Sequence, residues 1–371
     1  MTDQDNAPAI PEEKHHFPCG QCGGDLEYKP GEVHLVCPHC GHEETIDKSV
    51  DRDEALRERN LDAALRNQMD ASDIEETRVV TCPNCGAQTE FDEADQAGRC
   101  PFCDTPVVTD TGTHRHIKPA AVLPFRIRET EARASMTKWL GRLWFAPNGV
   151  QEYARKGRAM SGIYVPYWTY DSKTRSRYRG ARGEHYWVTR TVRRNGKTEQ
   201  VRERKTRWYP ASGTVARNFD DLLVLASRSL PKDYTDALEP WDLDDLEGYQ
   251  PEYLAGFRAE GYQVELADGY SEARDRMDQV IRQDVRRDIG GDAQRINHVE
   301  SDYWDITFKH VLLPVWLAAY KYRGKTYRFV VNGQTGKVKG ERPWSAWKIA
   351  IAVVLGLIVA GAAGYVAYLN Q

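Results

Sequence analysis

No apolar run opens this 371-residue chain: Met1 to Pro18 is polar and its early charges are acidic, so no secretory signal peptide is expected. Basic residues are also scarce at the front. Residues 1–114 hold 9 Lys and Arg against 25 Asp and Glu, an imbalance of −16, while the whole chain nets −4, so the remainder is basic by 12 charges. The phosphate loop of a motor protein is missing. In the G-x4-G-K-[ST] pattern, the first glycine is replaced by Thr191 before Gly196-Lys197-Thr198 and by Ala319 before Gly324-Lys325-Thr326, and Gly336-Lys337 is followed by Val338. No nucleophile-and-base arrangement, flavin site or carboxylate-histidine di-iron set stands out, so no enzyme is expected. At 40% hydrophobic and 29% charged residues, the composition excludes collagenous, wholly disordered and many-times membrane-spanning chains.

What is present begins with eight cysteines. Cys19, Cys22, Cys37 and Cys40 read C-x2-C-x14-C-x2-C, and Cys82, Cys85, Cys100 and Cys103 repeat that spacing 63 residues later. Each C-x2-C turn carries two thiolates, and two such turns complete the tetrahedral S4 shell that zinc prefers in closed sites. Pro38 and Pro83 lie inside their turns and Gly23, Gly41 and Gly86 follow the second ligand, where positive φ is needed. The stretches Asp25–Val36 and Gln88–Arg99 are long enough for a hairpin, so two zinc ribbons and two Zn2+ per chain are expected. Disulfides would require an oxidising compartment, for which no export signal exists. Iron in a rubredoxin-like shell uses the same ligands. Four cysteines fill each shell, leaving His15, His16, His34, His39 and His42 as solvated neighbours. Units of about 30 residues bury little, so metal is expected to supply most of each ribbon's folding free energy.

The field around the second ribbon opposes nucleic acid. Asp92, Glu93, Asp95 and Asp104 surround it with Arg99 the one basic residue, and a Zn(S)4 centre adds a net −2, which repels phosphate. Asp92-Glu93-Ala94-Asp95 spells the acidic box of superfamily II helicases, but it sits inside a ribbon loop and is read as coincidence.

Residues 1–16 lack periodicity and are expected to be disordered. Asp47 to Asp73 places Leu56, Leu61, Leu65 and Met69 at helical spacing and reads as one amphipathic helix between the ribbons. From Ile117 onward, an α+β order follows. Arg128–Trp144 is a helix with Met136, Trp139, Leu140 and Leu143 on one stripe, stopped near Pro147-Asn148-Gly149. Ile163–Asp171, Ser176–Gly183, His185–Val192 and Glu199–Tyr209 are strands, with a hairpin turn at Arg194-Asn195-Gly196-Lys197. Ser271–Asp288 is a helix that buries Ala273, Met277, Val280, Ile281 and Val285, and strands return at Thr307–Tyr322 and Thr326–Val331. Pro166-x-Trp168 and Pro314-x-Trp316 hint at an internal duplication.

Between Lys173 and Arg207, 13 Lys and Arg meet 3 Asp and Glu, interleaved with Tyr178, Tyr186, Trp187 and Trp208. Arg175, Arg177, Arg179, Arg190, Arg202, Arg204 and Arg207 are the candidates for an anion-binding surface. Single-stranded nucleic acid, anionic lipid headgroups and a merely solvated sheet face remain alternatives. Ile349–Leu369 has no charge, and as a helix of about 31 Å it would cross a bilayer. Lys337, Lys339, Arg342 and Lys348 precede it, Trp344 and Trp347 mark the near interface and Tyr365 and Tyr368 the far one. These features predict a tail-anchored, single-pass protein of the cell membrane with its bulk in the cytoplasm. Ala352, Gly356, Ala360 and Gly364 form a small-xxx-small face suited to pairing with a second copy or another anchor.

Val80-Thr81-Cys82-Pro83-Asn84-Cys85-Gly86, Tyr164-Val165-Pro166-Tyr167-Trp168-Thr169-Tyr170, Phe308-Lys309-His310-Val311-Leu312-Leu313-Pro314-Val315-Trp316 and Glu341-Arg342-Pro343-Trp344-Ser345-Ala346-Trp347-Lys348 carry a resemblance over most of residues 79–348. They resemble bacterial membrane-anchored zinc-ribbon proteins, often labelled primosomal protein N-prime or superfamily II helicase because the ribbons are similar to that helicase's zinc module. The resemblance implies metal ligation by the eight cysteines. The absent ATP motifs keep the helicase activity from carrying over. A similar Bacillus family implies accessory membrane proteins that work with a phage-shock-type protein and an SPFH-domain scaffold in envelope stress. The expected organisation is therefore multidomain α+β. Residues 1–16 form the disordered N-terminus, 17–46 and 79–109 the two ribbons, 47–78 a charged helical linker, 110–343 an α+β domain with an antiparallel sheet and Arg-rich strands, and 344–371 the membrane anchor. The expected function is a zinc-binding scaffold or adaptor in a membrane-associated complex, in contact with membrane lipids and protein partners. A nucleic-acid-binding replication-restart accessory without its own motor is the alternative.

Overall fold

The computed structural model describes residues 17–46, 51–66, 68–69, 71–82, 87–90, 97–100, 102, 105–108, 113–145, 147, 160–194, 197–322, 325–341 and 344–369. Residues 1–16, Asp92 to Asp95, Asp104, Asn195-Gly196 and the ligands Cys85 and Cys103 lie outside the described residues.

The first cysteine unit is a three-stranded antiparallel sheet of β1 (Glu27–Tyr28), β2 (His34–Val36) and β3 (Glu43–Thr45). It is not a separate lobe. Leu26, Tyr28, Leu35 and Ile46 share one buried cluster with Phe125, Tyr253 and Leu254 of the following domain. Tyr28 N–H donates to the Ala255 carbonyl (3.0 Å) and Gly31 N–H to that of Phe125 (2.8 Å). Gly31 has φ +85, and a Cβ there would stand 3.0 Å from the Arg126 carbonyl oxygen, so the close approach requires glycine. Burial in this shared cluster lessens the unit's dependence on metal for folding.

The expected single linker helix is broken in two. α1 (Arg52–Ala55) and α2 (Leu61–Leu65) flank β4 (Arg59–Asn60). Asn60 is the reason: its side chain accepts from Ala63 N–H (2.9 Å) and caps a new helix. Leu61 and Ala64 are buried against the domain, whereas Leu65 is exposed. The segment is thus a strap across the domain.

β5 (Ile74–Thr81), β6 (Gln88–Glu90), β7 (Ala97–Arg99), β8 (Pro106–Val108) and β9 (Thr113–Ile117) build two small antiparallel sheets around the second cysteine set. The large sheet follows, with β10 (Ala121–Val122), helix α3 (Glu129–Gly141), β11 (Ser161–Arg194), β12 (Lys197–Leu225), helix α4 (Lys232–Asp236), β13 (Glu247–Gly248), β14 (Arg258–Ala259), helix α5 (Leu266–Ile289), β15 (Ala293–Tyr322), β16 (Lys325–Asn332) and β17 (Val338–Gly340). With β4 these make nine strands, antiparallel except for the parallel pairs β10–β15 and β11–β14. Segments expected as separate strands are continuous: β11 spans 34 residues and pairs along its length with β12.

α5 begins at Leu266, one turn ahead of the expected Ser271 cap, and buries Ala273, Met277, Ile281, Val285 and Ile289; Val280 is only half-buried. This stripe covers one face of the long strands through Tyr178, Val215, Phe219 and Val299. On α3, Ala132, Met136 and Leu140 are buried, and the Trp139 ring meets Phe329 edge-on. The last helix, α6 (Ala346–Leu369), is exposed along its apolar length.

The Pro-x-Trp repeat is part of an approximate two-fold relation between two halves of the domain. Pro166 pairs with Leu312 as Pro314 pairs with Tyr164. β10 lies beside Val311–Leu312 as β14 lies beside Ile163–Tyr164. The Trp168 indole donates to the Val264 carbonyl (2.9 Å) just before α5, and the Trp316 indole to the Ile127 carbonyl (2.8 Å) just before α3.

Candidate metal centre

The Sγ atoms of Cys19, Cys22, Cys37 and Cys40 all lie within 4.8 Å of one another. Cys19–Cys40 and Cys22–Cys37 approach to 3.6 and 3.5 Å. A tetrahedron with Zn–S bonds of about 2.3 Å needs sulfurs roughly 3.8 Å apart, so the four thiols fit a metal ion without rearrangement. Cys19 and Cys37 are buried, Cys22 and Cys40 exposed. Among the described cysteines none forms a disulfide.

Local backbone geometry sets this up. Cys19 N–H donates to the Gly24 carbonyl (2.7 Å) and Cys37 N–H to that of His42 (2.8 Å). Gly23 and Gly41 close the two turns at φ +74 and +76, as their place in the sequence requires. The thiols do not ionise alike without a cation. The Cys40 amide, with that of His39, holds Cys37 down at about 6 against the pull of burial. At Cys40 the His42 amide pulls downward, yet local desolvation among the clustered sulfurs and their hydrogen bonds outweigh it and push the thiol up to about 12. A divalent cation supplies the charge that lets all four become thiolates.

At the second cysteine set, Cys82 and Cys100 are buried. Cys82 N–H donates to the Ala87 carbonyl (2.8 Å) and Cys100 N–H to that of Thr105 (2.9 Å). The donor-to-acceptor spacing of five residues is the one found at Cys19 and Cys37.

The candidate anion-binding arginines divide into three groups. Arg175, Arg177 and Arg179 stand on the sheet face opposite α5, but Arg175 is paired in register with Asp302 and Arg177 with Glu300. Arg177 lies 3.5 Å from Glu300 and 3.9 Å from Asp302, so much of this charge is locally compensated. Arg202 and Arg204 share that open face farther along, opposite Thr189 and Trp187, whereas Arg190 and Arg207 stand on the other face. The small residues Ala352, Gly356, Ala360 and Gly364 are exposed along α6, with open space where a Cβ on Gly356 or Gly364 would point.

Two polar clusters escaped the sequence reading because the fold assembles each from distant segments. Oxygens of Glu58, Asp171 and Asp220 converge within 4.8 Å at the bulge between Tyr170 and Ser172. Burial raises Asp171 to about 6. The buried Lys309 ammonium lies 2.7 Å from Asp221 and 3.6 Å from Glu58, so the cluster already contains a cation. Elsewhere, Glu260 and His310 line a small cavity beside Tyr249 and Tyr262. His310 donates through Nδ1 to the Ile117 carbonyl (2.8 Å), and burial lowers its pKa to about 4. Burial raises Glu260 to about 8, although the Ser229 and Ser227 hydroxyls donate to it. Glu260 Oε2 and His310 Nε2 have no protein partner. A donor O–H and an acceptor nitrogen therefore border the same small cavity. Next to it, an open cleft of about 530 Å³ is lined by Leu65, Met69, Ile74 and Leu266 together with His116 and Glu265.

No family model and no solved structure matches the chain. It is similar to Uncharacterized protein YdjG of Bacillus subtilis (strain 168), at 27% identity over 337 residues, which cover 90% of this chain and 92% of that protein.

Proposed function

We propose that the chain is a zinc-binding scaffold or adaptor anchored in the cell membrane by α6, with its folded bulk in the cytoplasm, of the membrane-anchored zinc-ribbon kind that it resembles. The observation that carries this reading is the preformed four-thiol cluster, held on a ribbon that is docked to the sheet domain from which the apolar helix departs. A closed S4 shell is a structural site, leaving no open position for substrate. The repeated amide closure at Cys82 and Cys100 supports a second such site completed by Cys85 and Cys103. Lys337, Lys339 and Lys348 before the apolar stretch favour a cytoplasmic bulk, where thiols stay reduced. The partners are proteins of a membrane complex, of the SPFH-domain or phage-shock type that the resemblance implies, and α6 pairs with a second helix through its small residues. Catalysis has no part in this reading.

Metal analysis of the full-length chain in detergent tests the reading. The expected content is about two zinc per chain, reduced by one in Cys37→Ser and again by one in Cys82→Ser. Iron in place of zinc, or unchanged metal in these variants, refutes the ribbons. Extraction from membranes by alkaline carbonate refutes the anchor. Crosslinking in intact cells, followed by identification of co-purifying proteins, tests the adaptor role; recovery of the chain alone argues against it.

A further inference from the structure

The first hairpin outgrows the two-fold relation of the domain. Pro166 and Pro314 are 148 residues apart, and at that displacement the turn between Tyr322 and Lys325 corresponds to Thr174 and Arg177. The β11–β12 hairpin instead runs on to Arg194. β15 accompanies it only as far as Gly183, which pairs with Ala293. Beyond that point Glu184–Arg194 and Lys197–Arg207 form a two-stranded ribbon in unbroken register.

Alternation along the ribbon confines its carboxylates to one face while leaving basic residues on both. One face, from His185 to Arg193 and across to Thr198 to Thr206, carries Arg193, Arg202, Arg204 and Trp187, with Thr, Gln and His between them and no carboxylate. Glu184 and Glu203 stand on the opposite face, where they neutralise part of the charge of Arg190, Lys205 and Arg207. Trp187 is 59% exposed.

Each of three aromatic rings here carries one cation over it. Arg202 sits over Trp187 at 5.5 Å, Arg207 over Tyr186 at 5.1 Å and Arg295 over Trp208 at 4.0 Å. A guanidinium laid on a ring still presents N–H edges to an oxyanion, but it denies the ring face to a nucleic-acid base. A carboxylate-free row of arginines offers guanidinium edges to a surface of phosphates.

We propose that this face of the distal ribbon binds the anionic phospholipid headgroups of the bilayer in which α6 is anchored. The proposal rests on the membrane-anchor reading. It also fixes an orientation. Ser161 shares a row of the sheet with Leu317, Val330 and Lys339, shortly before α6 begins at Ala346, and roughly 75 Å of strand separates it from Glu184, so the long strands must lie along the membrane plane and not stand out from it. The protein then grips the bilayer at two points, one inserted and one electrostatic.

The test uses the full chain in nanodiscs of phosphatidylcholine alone or with about a third phosphatidylglycerol. Hydrogen exchange is followed in peptides from residues 184–207. Slower exchange in the anionic discs alone, reversed by 0.5 M salt, is expected. The triple variant Arg193→Ser, Arg202→Ser, Arg204→Ser alters exposed side chains and should weaken ribbon binding roughly 100-fold, each basic residue near an anionic surface contributing about fivefold. Equal exchange in the two lipid compositions, or protection that persists in the variant, overturns the proposal. So does protection by an oligothymidylate in phosphatidylcholine discs that exceeds the effect of phosphatidylglycerol, which assigns the face to nucleic acid. Failure of the chain to enter the discs overturns the anchor itself, an outcome distinct from entry without protection.

Discussion

Glu260→Gln is expected to change the pH dependence of stability by an amount that follows from the carboxyl's surroundings. Glu260 is 2% exposed, with Oε1 accepting from the hydroxyls of Ser227 and Ser229 and Oε2 without a partner. Burial raises it from an ordinary 4.5 to about 8. An acid whose folded value is raised favours the folded state fully below its unfolded value, and that advantage is lost as pH climbs toward the folded value. Between about pH 4.5 and 8 the unfolded chain releases this proton while the folded chain keeps it, so stability falls by about 1.4 kcal/mol per pH unit on this account alone. From pH 5 to pH 7 the loss is about 3 kcal/mol, or roughly 6–12 °C in Tm for a domain of this size. Glutamine keeps an oxygen for the two serines and has no proton to lose. Thermal unfolding of wild type and variant in the same detergent, from pH 5 to 8, should show the variant gaining steadily on wild type as pH rises. Parallel Tm curves would refute a buried, proton-bearing Glu260.

His310 predicts the opposite slope. Its folded value is lowered to about 4, so its stabilising effect is present above about pH 6.5 and lost as pH falls toward 4. His310→Gln should therefore lose less stability than wild type between pH 6.5 and 4.5 in the same melts, and an unchanged acid limb would count against a neutral buried imidazole. Gly269→Ala tests packing against helix propensity. Propensity alone predicts a gain of about 1 kcal/mol inside α5. The added Cβ would stand 2.5 Å from Tyr170 Oη and 2.8 Å from Trp168 Cδ1, so the expected outcome is a loss of about 1–3 kcal/mol, and a raised Tm would refute the close fit.

The features legible in sequence are those written in short local spacings. The C-x2-C turns with their following glycines and the uncharged stretch of α6 need no partner to be read. The long strands were harder. Gly183 reads as a strand end, yet it lies inside β11, where its Cβ would stand 2.8 Å from Thr206 Cγ2 and 3.1 Å from Ala293 Cβ. Glycine here marks close approach of a neighbouring strand and not a turn. Residues 47–73 kept a helical apolar spacing while Asn60, a ready cap within it, signalled a restart that periodicity alone does not weigh. The Lys309 cluster and the Glu260 and His310 cavity join segments far apart in the chain, so no local pattern announces them.

The approximate two-fold relation gives the two cysteine-bearing segments equivalent docking places on one sheet. Phe125 and Tyr262 occupy equivalent places, each packed on the tryptophan of the other half: Phe125 meets Trp316 at 4.9 Å and Tyr262 meets Trp168 at 5.0 Å. Gly31 of the first unit donates to the Phe125 carbonyl, and Ile117, at the end of the strand returning from the second unit, donates to the Tyr262 hydroxyl (3.2 Å). Each cysteine-bearing segment is therefore attached beside the same landmark of a different half. The halves differ where symmetry imposes nothing: the second leads to the apolar helix, and the first extends the arginine-bearing ribbon. The two-fold core keeps its internal contacts paired, whereas its two ends differ, one carrying the apolar helix and the other the arginine-bearing ribbon.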